Sequence, residues 1–355
     1  MNQLRTHPPK PDKNGFTGLA NIGNTCFLNS VIQVLAHTPE IIQILDTVPP
    51  ISLAPTANIN HLLAFECKQL IKMMWDKNQT IAPNRFLQIV QIVSTKKGND
   101  IFSGFSQNDV SEFLLFLIEG IHKTISKSAK VTISGTAVNE VDAIAKKCYE
   151  TIRDIYIKDH SPIYTKFYGM CFTEIWSKEE PSVILSRKCE HYFMIDLPLP
   201  PPEIKSPTLY DCFDNYVARE IMEGENAWYN ETTKQKQDVY KKISFWNFPP
   251  VLVINLKRYK DAVRKDHRLV EFPVDRELVL SRYVVSYGNL KYRYRLYATC
   301  NHHGGSIMGG HYTSCVSPAN SPGEWFHFND TVITPMEQQM VISPQTSCLF
   351  YRRCE

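Results

Sequence analysis

The hydrophobic period changes near residue 160, and that change limits the folds open to this chain. From about 25 to 125 apolar residues recur at helical spacing. Ile59 to Trp75 carries Leu62, Leu63, Phe65, Leu70, Ile71, Met73 and Met74, and residues 84–94 repeat the pattern with Phe86, Leu87, Ile89, Val90 and Val93. Gln107 to Ile121 reads as a further helix, with Val110, Phe113, Leu114, Leu117, Ile118 and Ile121 on one side. A Ser/Thr/Lys-rich linker over 126–138 leads to an amphipathic helix over Asn139 to Ile157. Beyond about 163 the apolar runs shorten to β-type segments: Val183-Ile-Leu, Tyr192-Phe-Met-Ile, Val251-Leu-Val-Ile and Tyr292 to Ala298. Turns such as Leu197-Pro-Leu-Pro-Pro-Pro202 and Ser286-Tyr-Gly-Asn289 separate them. Helices followed by strands predict an α+β fold. Residues 1–14 are polar and Pro-rich and read as a flexible lead-in.

Composition excludes several classes of partner. With 39 basic and 36 acidic side chains the formal charge is +3, too weak to imply a nucleic-acid or membrane surface. No apolar run approaches membrane-spanning length, and the N-terminus lacks a signal region. The ten cysteines are scattered without a CxxC pair, which predicts reduced thiols and a cytoplasmic or nuclear protein. The expected state is a monomer.

One cysteine stands apart. In Gly18-Leu-Ala-Asn-Ile-Gly-Asn-Thr-Cys26-Phe-Leu-Asn-Ser30, Asn24 and Thr25 are good helix caps, and Leu28, Val31, Ile32 and Leu35 form an apolar stripe behind Cys26. Cys26 is thus expected in the first turn of a buried helix, where free N–H groups and the positive dipole end favour a thiolate. Most buried thiols are inert. The pattern near the other end of the chain changes the weighting: Gly309-Gly310-His311-Tyr312, then Trp325-Phe-His-Phe-Asn329-Asp330. A cysteine with a distant His and Asn/Asp is a thiol-protease pattern. His311 follows Cys26 by 285 residues (311 − 26), so only tertiary folding can join them. Most of the eleven histidines read as bland surface residues; His302 and His303 fall in a glycine-rich approach loop, and His327 alternates with Phe326 and Phe328 on a strand. The Gly-Gly before His311 would let another backbone approach closely.

These segments resemble the boxes of the ubiquitin-specific protease family of deubiquitinases. The likeness continues in Gln107-Asn-Asp109-Val-Ser-Glu112-Phe-Leu and in Val251-Leu-Val-Ile-Asn-Leu-Lys257-Arg258-Tyr259, in the family's order and over roughly residues 15 to 354. It implies a papain-like fold: a helical thumb (about 15–160) carrying Cys26, then a β palm carrying His311 and a β finger extension (about 161–354). It further implies Cys26 as nucleophile, His311 as base, and Asn329 or Asp330 as the residue orienting the imidazole. Asn21 would donate to the oxyanion, although a local Asx-turn accounts for it equally. Asp109 and Glu112, taken as three apart on one helical face, would meet the arginines of ubiquitin's tail. Phe105, Gln107, Gly309, Gly310 and Tyr312 would shape the same groove. Lys257 and Arg258 read as structural.

Where many relatives hold zinc with two CxxC pairs in the fingers, this chain has Ser177 and Glu180, then Asn230 and Thr233. No metal or other cofactor is expected, and Trp176, Phe193, Trp228, Tyr229 and Trp246 are the expected finger core. The reading is a deubiquitinating thiol protease that hydrolyses the bond after ubiquitin's terminal glycine through a thioester. Its competitors are a catalytically silent ubiquitin-binding module, and a protease for another modifier ending in Gly-Gly.

Overall fold

The computed structural model describes residues 14–51, 58–98, 100–104, 106–259, 261, 264–287, 291–306 and 309–354. Two compact units share the chain. The first comprises Met1–Ile125, Asn255–Leu269 and Leu296–Phe350, and the second Ser126–Ile254, Val270–Arg295 and Tyr351–Glu355.

The first unit begins with a short strand β1 (Gly18–Leu19) and a helix α1 (Cys26–Ala36), followed by α2 (Pro39–Asp46) and α3 (Ile59–Asp76). Next come β2 (Thr80–Ile81), which pairs in parallel with β1, then α4 (Asn84–Lys96) and α5 (Val110–Ile125). Every residue of α1 is buried, including the polar Asn29, Ser30 and Gln33. Such a helix can sit centrally only if its polar groups find partners, and Gln33 does so by donating to the Thr17 carbonyl at 2.7 Å. Helix α5 packs Phe113 edge-on against Phe27 of α1, with ring centroids 5.3 Å apart.

The second unit carries α6 (Glu140–Tyr156), α7 (Pro162–Phe167), β3 (Gly169–Ser177), β4 (Ile184–Tyr192), β5 (Met194–Pro198) and α8 (Leu209–Val217). It continues with β6 (Glu220–Met222), β7 (Trp228–Asn230), β8 (Gln235–Gln237), β9 (Val239–Asn247), β10 (Val251–Lys257), whose last residues enter the first unit, and β11 (Leu278–Val279). Its main sheet has the order β4-β3-β9-β6, and β7 and β8 form a separate hairpin. Phe193 and Trp246 are buried as expected of a core, whereas Tyr229 is 45% exposed and contributes nothing there.

The chain then builds the sheet of the first unit: β12 (Arg293–Ser306), β13 (Gly309–Val316), β14 (Trp325–Asn329), β15 (Val332–Met336) and β16 (Thr346–Arg353). Its order is β15-β14-β13-β12-β16. Antiparallel register places His303 opposite His311 and His302 opposite Tyr312. The architecture is α+β, with helices first and strands later. Two expectations need correction. Helix α5 starts at Val110, so Gln107 and Asp109 precede it. The second strand of the β-type run at Tyr192 starts at Met194, while Tyr192 closes β4.

Candidate active site

Cys26 is the first residue of α1, but the helix is not capped as its sequence suggests. Thr25 is the N-cap and makes no side-chain cap bond. Asn24 is left-handed instead, with φ 57°. Asn21 supplies the order: its Oδ1 accepts from the Thr25 N–H at 3.0 Å, and Thr25 Oγ1 accepts from the Ile22 N–H at 3.1 Å. The loop before Cys26 is therefore closed by side-chain bonds, the one to Asn21 coming from the N–H four residues on.

Helix α1 packs on β13, which carries His311. The Tyr312 backbone N–H, next to His311, is directed at the Cys26 sulfur together with the N–H groups of Phe27 and Cys26 itself. These donors favour a thiolate, yet the thiol sits above its ordinary value because burial outweighs them and the Asp330 carboxylate adds to it. The N–H donors expected at a helix start are present, and desolvation outweighs them.

His311 Nε2 lies 2.7 Å from Asn329 Oδ1 and 3.9 Å from Asp330 Oδ2. An amide oxygen can only accept, so the Nε2 proton is donated to Asn329, and Nδ1 is left as the base nitrogen. Asp330 occupies the turn between β14 and β15 with φ 50°. Its oxygens accept from Asn29 Nδ2 at 2.8 Å and Asn21 Nδ2 at 3.1 Å, and its carbonyl accepts from the Leu19 N–H at 2.9 Å. Asp330 thereby ties the loop before Cys26 to the strand end that bears Asn329. The approach is close: a Cβ on Gly18 would stand 2.5 Å from the Thr331 carbonyl oxygen. Asn29, a polar residue inside an apolar helical stripe, is the sequence signal for this junction that motif reading passed over.

The acidic pair is arranged differently from expectation. Asp109 is not on the face of α5 but just before the helix, where its Oδ1 accepts from the Ser111 N–H at 2.7 Å and the Glu112 N–H at 3.3 Å. It serves as the cap of α5. Glu112 is exposed, and partial desolvation and the Asp109 charge raise its pKa. Tyr312, expected on the substrate groove, is buried instead, and its hydroxyl points to Asp109 Oδ2 at 3.5 Å. Phe105 lies outside the described residues.

His302 is not a surface residue. It is 1% exposed, with Nδ1 2.7 Å from the Tyr259 hydroxyl and 3.3 Å from Lys265 Nζ, and Nε2 3.4 Å from the Gln107 amide. Burial, then the Lys265 charge, push its pKa down to about 4, so the ring is neutral. Lys265 also donates to the His302 carbonyl at 2.5 Å and the Gly304 carbonyl at 3.3 Å. The ring lies beneath Gly310, where an added Cβ would be 2.5 Å from His302 Nε2. The close approach that requires glycine at 310 is therefore internal, while Gly309 faces open space. Tyr259 closes one of the family boxes, but the meeting of the Tyr259–Lys265 bridge with His302, 37 residues beyond Lys265, has no spacing signal in the sequence. Arg258 is structural: 1% exposed, it donates to the carbonyls of Thr346, Asp266 and Arg268. Among the described residues no group of three or more His, Cys, Asp or Glu could hold a metal ion, and no helix is long and apolar enough to cross a membrane.

Comparisons with known proteins agree on one family. The family model described as ubiquitin carboxyl-terminal hydrolase matches residues 17–351. Ubiquitin carboxyl-terminal hydrolase 2 of Homo sapiens is 30% identical over 347 residues, covering 95% of this chain and 55% of that protein. The Gallus gallus protein of the same name is 30% identical over 347 residues, covering 95% of this chain and 93% of that protein. The chain thus spans about half the length of the human relative. Among solved structures, the SAGA Ubp8/Sgf11/Sus1/Sgf73 DUB module bound to ubiquitin aldehyde matches with a TM-score of 0.71 at 20% identity, covering 97% of this chain and 70% of that one. At that identity the likeness establishes the fold.

Proposed function

Because the chain belongs to the ubiquitin carboxyl-terminal hydrolase family, we propose that it is a thiol-dependent deubiquitinase with Cys26, His311 and Asn329 as its triad. The observation that carries this reading is the 2.7 Å contact between His311 Nε2 and Asn329 Oδ1, on a strand whose next N–H meets the Cys26 sulfur. In this mechanism His311 Nδ1 takes the thiol proton as the sulfur attacks the carbonyl of ubiquitin's terminal glycine. The N–H groups of Cys26 and Phe27 and the Asn21 amide stabilise the oxyanion. For Asn21 this requires that its Nδ2 turn from Asp330 toward substrate. The imidazolium returns its proton to the leaving lysine amine, and His311 then activates the water that hydrolyses the thioester. A base that must first deprotonate a buried thiol suits an enzyme that stays unreactive until ubiquitin excludes water and brings its carbonyl to the sulfur. Glu112, exposed beside Asp109, is the carboxylate offered to a cationic tail.

Ubiquitin carrying a C-terminal electrophile tests the reading. A covalent adduct lost in Cys26→Ala is the expected result. Binding without an adduct would make the protein a silent ubiquitin-binding module. An adduct formed only with a different Gly-Gly modifier would reassign the substrate.

A further inference from the structure

Outside the residues used above, two thiols meet in the second unit. Cys148 lies in the middle of α6 and is fully buried, Cys189 lies on β4 and is partly exposed, and their Sγ atoms are 3.3 Å apart. Helix α6 packs on β4 here, within an apolar cluster of Ile144, Ala145, Met170, Phe172 and Trp246. A disulfide bond is about 2.0 Å long, so closing this gap needs a movement of about 1.3 Å (3.3 − 2.0), within reach of two side-chain rotations. A third thiol, Cys171 on β3, donates instead to the Glu190 carbonyl at 3.6 Å.

The two partners are chemically unequal. The contact with Cys148 and the nearby Lys147 and Arg187 charges hold the Cys189 pKa below the ordinary thiol value against the effect of burial. The same contact and full burial hold the Cys148 thiol above it. A partly exposed thiol 3.3 Å from a fully buried one is the arrangement of an attacking and a resolving cysteine.

We propose that Cys148 and Cys189 form a reversible disulfide site that reacts with hydroperoxides and pins α6 to β4. This goes beyond the deubiquitinase reading and does not depend on it. The Cys189 sulfur attacks the peroxide, the O–O bond breaks, and the leaving oxygen departs protonated, giving a sulfenic acid. Cys148 then attacks that sulfur, and its proton leaves with the sulfenic hydroxyl as water. With hydrogen peroxide two thiols lose two electrons and two protons, and the oxidant becomes two waters.

The test treats the full reduced chain with equimolar hydrogen peroxide, alkylates the remaining thiols, and maps the unreduced peptides by mass spectrometry. The expected product links the peptides of Cys148 and Cys189, is lost on adding dithiothreitol, and is accompanied by slower amide exchange across α6. In Cys148→Ala the link is absent and Cys189 is trapped by dimedone as the sulfenic acid. Recovery of both residues alkylated under conditions that oxidise Cys26 would overturn the proposal, and so would a link from Cys189 to Cys171. The wild-type mapping stands without any variant.

Discussion

At the scale of single residues, the decisive competition is between burial and charge at Cys26. Desolvation and the Asp330 carboxylate disfavour the thiolate, and three backbone N–H groups favour it. Removing the negative charge while keeping the side-chain shape should therefore lower the thiol pKa. In Asp330→Asn, the midpoint of Cys26 alkylation by iodoacetamide, followed against pH, should move to lower pH than in the wild type. An unmoved or raised midpoint would remove Asp330 from the electrostatics of the nucleophile. As the proposed base, His311 would act on the transition state more than on bound substrate, so His311→Ala should lower kcat by about 100- to 10,000-fold, the range of a positioned acid–base group. Binding of ubiquitin, measured by calorimetry, should be nearly unchanged. A variant that retained wild-type turnover would exclude His311 as the base.

At the scale of elements, the strand pair β12 and β13 presents the imidazole, and Gly310 is the position that permits its packing. An alanine there must displace either the His302 ring or the His303 carbonyl, at 2.5 and 2.6 Å from the new Cβ. Gly309 has open space. Gly310→Ala should thus impair turnover with ubiquitin electrophiles and substrates alike. Gly309→Ala should fold normally and affect only KM; equal losses in both variants would show that the hairpin, and not the contact with His302, sets the requirement. A similar contrast separates the acidic pair. Asp109→Ala removes the cap of α5 and should cost about 1 kcal/mol of stability, read by urea denaturation, whereas Glu112→Ala should leave stability alone and raise KM. Periodicity made the helices of this region legible, because apolar residues at helical spacing persist through Ile59–Asp76, Asn84–Lys96 and Val110–Ile125. It did not reveal where α5 begins, since Asp109 can cap a helix or belong to its first turn and the apolar stripe does not distinguish the two. The short helices Pro39–Asp46 and Leu209–Val217 escaped it, each being too brief to establish a period. Motifs mark Cys26, His311, Asn329 and Tyr259 in the sequence; the packing of His302 against Tyr259 and Lys265 is not marked, because it joins two segments far apart in the chain and leaves no spacing to read.

At the scale of the whole molecule, each unit is held together by its own interior, and the second must do so where family relatives use zinc. The expected ligand positions hold Ser177, Glu180, Asn230 and Thr233. In their place the sheet β4-β3-β9-β6 pairs β3 antiparallel with both neighbours along its length, each ladder with one register shift. Met170, Phe172 and Trp246 pack with α6 on this framework. Arg187 joins β4 to β3 and to α6 by pairing with Glu174 and Glu140, its side chain only 9% exposed. A partly desolvated pair of this kind specifies the arrangement more than it stabilises it, so the apolar cluster carries the greater share. Trp246→Ala should accordingly cost about 3–5 kcal/mol, the range for deleting a large buried aromatic side chain, measured by urea denaturation at unchanged m-value. A strong chelator of divalent cations should leave the melting temperature where it was. A melting temperature that fell with chelator and recovered on adding zinc would show that a metal, and not this cluster, holds the second unit together.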